Sequence, residues 1–103
     1  MEGLELISFQ IISAVGTARS CYIEAIQAAK EDRFEEAEKM IAEGQAVFND
    51  GHKAHAELIQ QEAAGEKTEF SLLLMHAEDQ LMSAEAFGIL AQEFIDIYKR
   101  MKI

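Results

Sequence analysis

Not one proline interrupts the 103 residues of this chain, and glycine occurs only six times. Proline ends helices by removing a backbone donor and clashing with the preceding turn, and glycine punctuates turns, so a chain poor in both has few places to reverse direction. A small number of long helices is the expectation. Apolar residues recur at spacings of three and four, the helical period. Leu4, Ile7, Ile11, Ala14, Ala18, Cys21 and Ala25 predict a first helix over about Leu4 to Lys30. A second is predicted to open at Asp32, whose carboxylate can cap the first backbone N–H groups while Glu35 reaches back. It carries Phe34, Ala37, Ile41, Val47, Phe48, Ala54, Leu58 and Ile59 to about Glu62. Ala63 to Lys67 reads as a helix end with Gly65 as its left-handed cap. Thr68 is then expected to cap a third helix from about Glu69 to Met101, with Lys99, Arg100 and Lys102 at the negative end of its dipole. Asn49-Asp50-Gly51 is a strong turn signal that would split the second helix, but apolar spacing resumes on the same face beyond it.

The length suits one domain, residues 1–103, whose core oligomerisation would help to complete. Half of the residues are hydrophobic and 27% are charged, the balance of a packed fold rather than a disordered acidic tail. A formal charge of −10 repels phosphate backbones and anionic lipid, so nucleic acid is not an expected partner, whereas a basic protein is. Cys21 is the only cysteine, which excludes an intrachain disulfide and Cys/His zinc spacing. Its helical setting suits a small buried hydrophobe better than a nucleophile. The N-terminus lacks a basic segment and the apolar run from Ile7 to Val15 is broken by Ser8, Gln10 and Ser13, so neither a signal peptide nor a membrane span is expected.

The third helix is apolar on two sides. Phe70, Leu74, Ala77, Leu81, Ala84, Gly88 and Ile95 form a core stripe, while Leu72, Met75, Ala86, Leu90 and Ile97 lie opposite it with Asp79 among them. That second face needs its own burial surface, most simply another copy of the chain. At about 100° per residue, His76, Asp79, Gln80 and Ser83 share one side and Glu78 points roughly the other way. Neutral imidazole can accept a phosphoryl group or bind a metal, though a lone helical histidine is also a common structural residue. Asp79 either reaches solvent or, if buried, must be protonated, paired or metal-bound. His52 and His55 could offer two imidazoles to a metal, but no spacing fixes a third ligand. The acidic clusters Glu31-Asp32 and Glu35-Glu36-Glu38 read as a solvated face and a helix start. A phosphate-binding Gly-rich loop and a Ser/His/Asp arrangement are both missing, so group transfer here would fall to a histidine without a nucleotide site.

These residues carry a resemblance. Ile11-Ile12, Gly16-Thr17-Ala18-Arg19-Ser20, Glu24-Ala25, Asp32-Arg33-Phe34 with Ala37, His52, Glu57-Leu58-Ile59-Gln60, Glu62-Ala63 with Gly65, and above all Leu72 through Ala84, with its His-Ala-x-Asp-x-Leu-Met string, stand in order along the chain. The whole resembles the IIA component of the lactose/cellobiose (diacetylchitobiose) class of the bacterial phosphoenolpyruvate-dependent sugar phosphotransferase system. The resemblance implies an all-α, antiparallel three-helix bundle that assembles as a homotrimer, a nine-helix bundle. His76 would be the phosphorylation site. Asp79 would gather with its two symmetry mates around one divalent cation, Mg²⁺ by the preference of an all-oxygen site, on the threefold axis. Phospho-HPr would be the donor, a cysteine of the IIB component the acceptor and membrane IIC an indirect associate, all serving a cytoplasmic carrier. Two departures stand out: the family commonly has Gln where this chain has Glu78, and His where it has Gln80. A histidine phosphotransfer domain would instead show His-x-x-Lys-Gly. The reading from another class is a noncatalytic helical adaptor or scaffold in which His76 and Asp79 only tune packing.

Overall fold

A computed structural model describes residues 3–102. It contains three helices: α1 over Gly3–Lys30, α2 over Phe34–Ala63 and α3 over Leu72–Met101. At 1.5 Å per residue, helices of 28 and 30 residues make a rod, and the molecule measures 56 × 24 × 19 Å. Helix α1 is central and packs on both partners, while α2 and α3 touch each other least. Tyr22 of α1 meets Gly44 of α2, and Ala14 and Val15 meet Gly51, so α1 and α2 run antiparallel. Arg19 reaches Gln80 and Tyr22 reaches Gly88, so α1 and α3 run parallel.

Ile11, Val15 and Ile95 are fully buried, each contributing about 1.5–3 kcal/mol by leaving water. Ala18, Ala25, Ala28, Ala29, Ala37, Ala77, Ala84 and Ala91 join them, and these small residues let the helix axes approach closely. The expected first-helix stripe holds at Ile11, Ala18 and Ala25, but Val15 and Tyr22 are buried where Ala14 and Cys21 are half-buried. By length and composition α1 is apolar enough to cross a membrane, with mean hydropathy 1.2 over its best window. Its apolar residues divide between the bundle core and an exposed stripe of Leu6, Phe9 and Ile23. Ser8, buried at the edge of that core, donates its hydroxyl to the Leu4 carbonyl at 2.9 Å.

Helix α2 runs unbroken through Asn49-Asp50-Gly51, as the resumed spacing suggested. Gly51 is buried there for close approach, since a Cβ at that position would sit 3.2 Å from the Ala14 Cβ and 3.3 Å from a Val15 methyl. Two expected caps are corrected. Asp32 does not open α2. It adopts φ +63° as the left-handed residue that closes α1, with Asp32 N–H bonded to the Ala29 carbonyl and Arg33 N–H to the Ala28 carbonyl. That is the paired Schellman pattern. Gly65, at φ +96°, closes α2 the same way through Gly65 N–H to Glu62 and Glu66 N–H to Gln61. Thr68 does not cap α3 either; Ser71 does, accepting from the Leu74 N–H at 3.0 Å. Phe70 therefore lies ahead of the helix and is 75% exposed rather than buried, and Ile59 is also exposed.

Candidate functional site

Ser71 fixes where α3 begins, and the burial of its apolar stripe sets the angular position of everything after it. With Leu74, Ala77, Leu81 and Ala84 turned into the core, the 3.6-residue period must present His76 and Asp79 outward. Both are exposed in the single chain. Leu72, Met75, Leu90 and Ile97 are also exposed, between 47% and 75%, so the second apolar face expected from the sequence is present, with Asp79 within it.

The two positions flanking Asp79 are engaged across the bundle. Glu78 Oε2 stands 2.7 Å from His55 Nε2, tying α3 to α2. Gln80 Oε1 accepts from Arg19 Nη2, tying α3 to α1. Sequence spacing could not join these partners, which lie 23 and 61 residues apart. Each end had nevertheless been singled out: Arg19 within the Gly-Thr-Ala-Arg-Ser string, and Glu78 and Gln80 as departures. The structure does not bring His52 and His55 to a common point. His55 turns to Glu78, whereas the exposed His52 ring stacks against Phe48 at 6.2 Å between centroids. Of the three histidines, His76 alone combines an exposed ring with no aromatic or hydrogen-bonded neighbour among the described residues. A shallow groove lined by Ile59, Phe70, Met75 and Glu78 opens between the end of α2 and the start of α3, and His76 is not part of its lining.

No group of three or more His, Cys, Asp or Glu side chains is placed to hold a metal among the described residues of one chain. One carboxylate offers at most two oxygens, and a hard cation takes six or more, so Asp79 alone does not make a site. Cys21 is half-buried, and its thiol is pushed up from its ordinary pKa by burial first, then by Glu24 and Glu43. That suppresses the thiolate and agrees with a packing role.

Comparison with known proteins converges on one family. The family model described as the PTS system lactose/cellobiose-specific IIA subunit matches residues 6–99. The oligo-beta-mannoside-specific EIIA component of Bacillus subtilis (strain 168) is 46% identical over 99 residues, covering 96% of this chain and 90% of the relative. The crystal structure of the PTS cellobiose-specific enzyme IIA from Bacillus anthracis superposes with a TM-score of 0.94 at 46% identity, covering 98% of this chain and 93% of that one. The IIA(Chitobiose)–HPr complex of the N,N'-diacetylchitobiose branch of the Escherichia coli phosphotransferase system gives a TM-score of 0.86 at 30% identity, covering both chains fully. With fold, chain coverage and the order of the sequence strings in agreement, this chain belongs to the lactose/cellobiose-specific IIA family of the phosphotransferase system.

Proposed function

We propose that this chain is a cytoplasmic phosphocarrier whose phosphoryl group rides on His76. One observation carries the assignment: His76 is the histidine with an exposed ring left unengaged, one helical turn from a guanidinium held at Gln80. The donor is the phosphohistidine of HPr, the protein seen in complex with the chitobiose IIA relative. A lone pair of the His76 imidazole attacks phosphorus; the new N–P bond forms as the donor's N–P bond breaks, and the electron pair returns to the donor's ring. A cysteine thiolate of the IIB component then attacks in turn, forming an S–P bond and returning the pair to His76. Both steps exchange one nucleophile for another at phosphorus, so positioning and charge stabilisation are what the proteins must supply.

The same reading includes a homotrimer. The exposed apolar stripe of α3 supports it, as does an accessible surface of 6832 Å² where a compact monomer of 11.5 kDa would show about 5800 Å². In a threefold assembly about that stripe, each chain would contribute the Asp79 carboxylate to one cation. Three carboxylates supply the oxygen donors Mg²⁺ requires and relieve their mutual repulsion by sharing it.

The test is incubation with phosphoenolpyruvate, enzyme I and HPr. Acid-labile, alkali-stable label on the wild-type chain and none on a folded His76→Ala variant is expected, with His52→Ala and His55→Ala labelling normally. Wild-type stoichiometry in His76→Ala would refute the assignment, and an unlabelled wild-type chain would leave the scaffold reading in its place.

A further inference from the structure

We propose that Arg19, held by Gln80, is a phosphoryl-binding residue of the His76 site: its guanidinium and the Gln80 amide N–H₂ take the phosphoryl oxygens while the group is on His76. The proposal rests on His76 being the carrier.

Burial sets Arg19 apart: it is half-buried, while the other eight lysines and arginines are exposed. The chain has nine basic residues against nineteen acidic ones. Arg33 is bound by Glu31 at 2.8 Å and by Glu36, and Lys99 lies 3.7 Å from Glu38. Arg19 has no carboxylate within ion-pair distance among the described residues, although it is half-buried. Its partner is the neutral amide of Gln80. A guanidinium left uncompensated in so acidic a chain keeps its full charge for an arriving anion.

Geometry points that charge at His76. Helical side chains lean toward the N-terminus of their own helix, and α1 and α3 run parallel, so the long Arg19 side chain reaches down the bundle toward the end that holds His76. Gln80 is four residues after His76 and leans back toward it, with about 5–6 Å between the two Cβ atoms. Arginine can only donate, so it fixes the Gln80 oxygen toward itself and leaves the amide N–H₂ pointing away as a second donor. Two adjacent donors, one charged, suit the spread-out oxygens of a transferring phosphoryl group.

Transfer rates from phospho-HPr to the full chain test this, read by quench-flow with thermal melting alongside. Arg19→Ala should slow transfer about 10²-fold, the usual loss for one preorganised donor, and Arg19→Lys should recover part of it by restoring charge without the planar fork. Gln80→Glu is the deciding variant, because it strengthens the bond to Arg19 but neutralises the guanidinium before the phosphoryl group arrives. A structural role predicts unchanged or faster transfer; the proposal predicts a loss of about tenfold or more with an unchanged or raised melting temperature. Wild-type rates in Gln80→Glu with His76 labelled would overturn the role of Arg19 alone. A wild-type chain carrying no label on His76 would overturn this proposal together with the carrier reading.

Discussion

Tyr22 is clamped edge-on between two glycines, and Gly88→Ala should reverse the usual effect of that substitution. A Cβ at position 88 would lie 2.8 Å from the Tyr22 Cε2 and Cζ atoms, roughly an ångström inside ordinary carbon–carbon contact. The ring cannot retreat, because a Cβ at Gly44 on its other edge would already lie 2.6 Å from Cε1, and Tyr22 is only 2% exposed. Overpacking of this kind costs about 1–3 kcal/mol. Against it stands the helix-entropy gain of alanine over glycine, about 0.5–1 kcal/mol. The net expectation is a loss of about 1–2 kcal/mol, a fall of roughly 4–15 °C in melting temperature for a domain of this size. Urea unfolding at fixed protein concentration reads it, since oligomerisation would otherwise move the midpoint. The sign should change in a Tyr22→Leu background, where the ring edge is gone and Gly88→Ala becomes stabilising by about 0.5–1 kcal/mol. A melting temperature raised by Gly88→Ala alone would refute the clamp.

Asp32→Gly should stabilise by about 1 kcal/mol, since only a left-handed residue closes α1 there, and Ser71→Ala should cost about 1 kcal/mol by removing the α3 cap; chemical denaturation of both decides whether the caps are correctly placed. Under the proposed trimer and its cation, Asp79→Asn should bind less Mg²⁺ than the parent with helix content intact, measured by metal analysis and circular dichroism, and parental metal content in that variant would remove Asp79 from the site. On the same proposal, chelation should shift the parent toward smaller species in sedimentation. Burial raises the pKa of both Cys21 and Tyr22 in the folded chain, so each contributes stability that is complete below its unfolded pKa and lost as pH rises through the folded one. The urea midpoint should therefore fall on the alkaline side, and Cys21 should alkylate more slowly than free cysteine near pH 8; equal rates would contradict its burial.

Proline absence and apolar spacing determined that this chain forms three long helices, and even the turn signal at Asn49-Asp50-Gly51 was outweighed by the face that resumes beyond it. Local sequence settles such questions because helical period and backbone propensity act over a few residues. It also placed His76 and Asp79 on one side of α3 and marked that helix as apolar on two sides, since one helix fixes angular relations among its own residues, but their exposure was left to the packing. It did not decide the helix starts. Thr68 and Ser71 are both good caps, as are Asp32 at the start of α2 and Asp32 at the end of α1, and the choice fell to which frame sends Leu74 and Ala77 into the core. Nor could it join Arg19 to Gln80, His55 to Glu78, or Tyr22 to its two glycines. Those contacts form between helices, and their partners are chosen by interaxial packing: small residues such as Ala18, Gly44, Gly51 and Gly88 let α1 approach closely enough for its side chains to reach across.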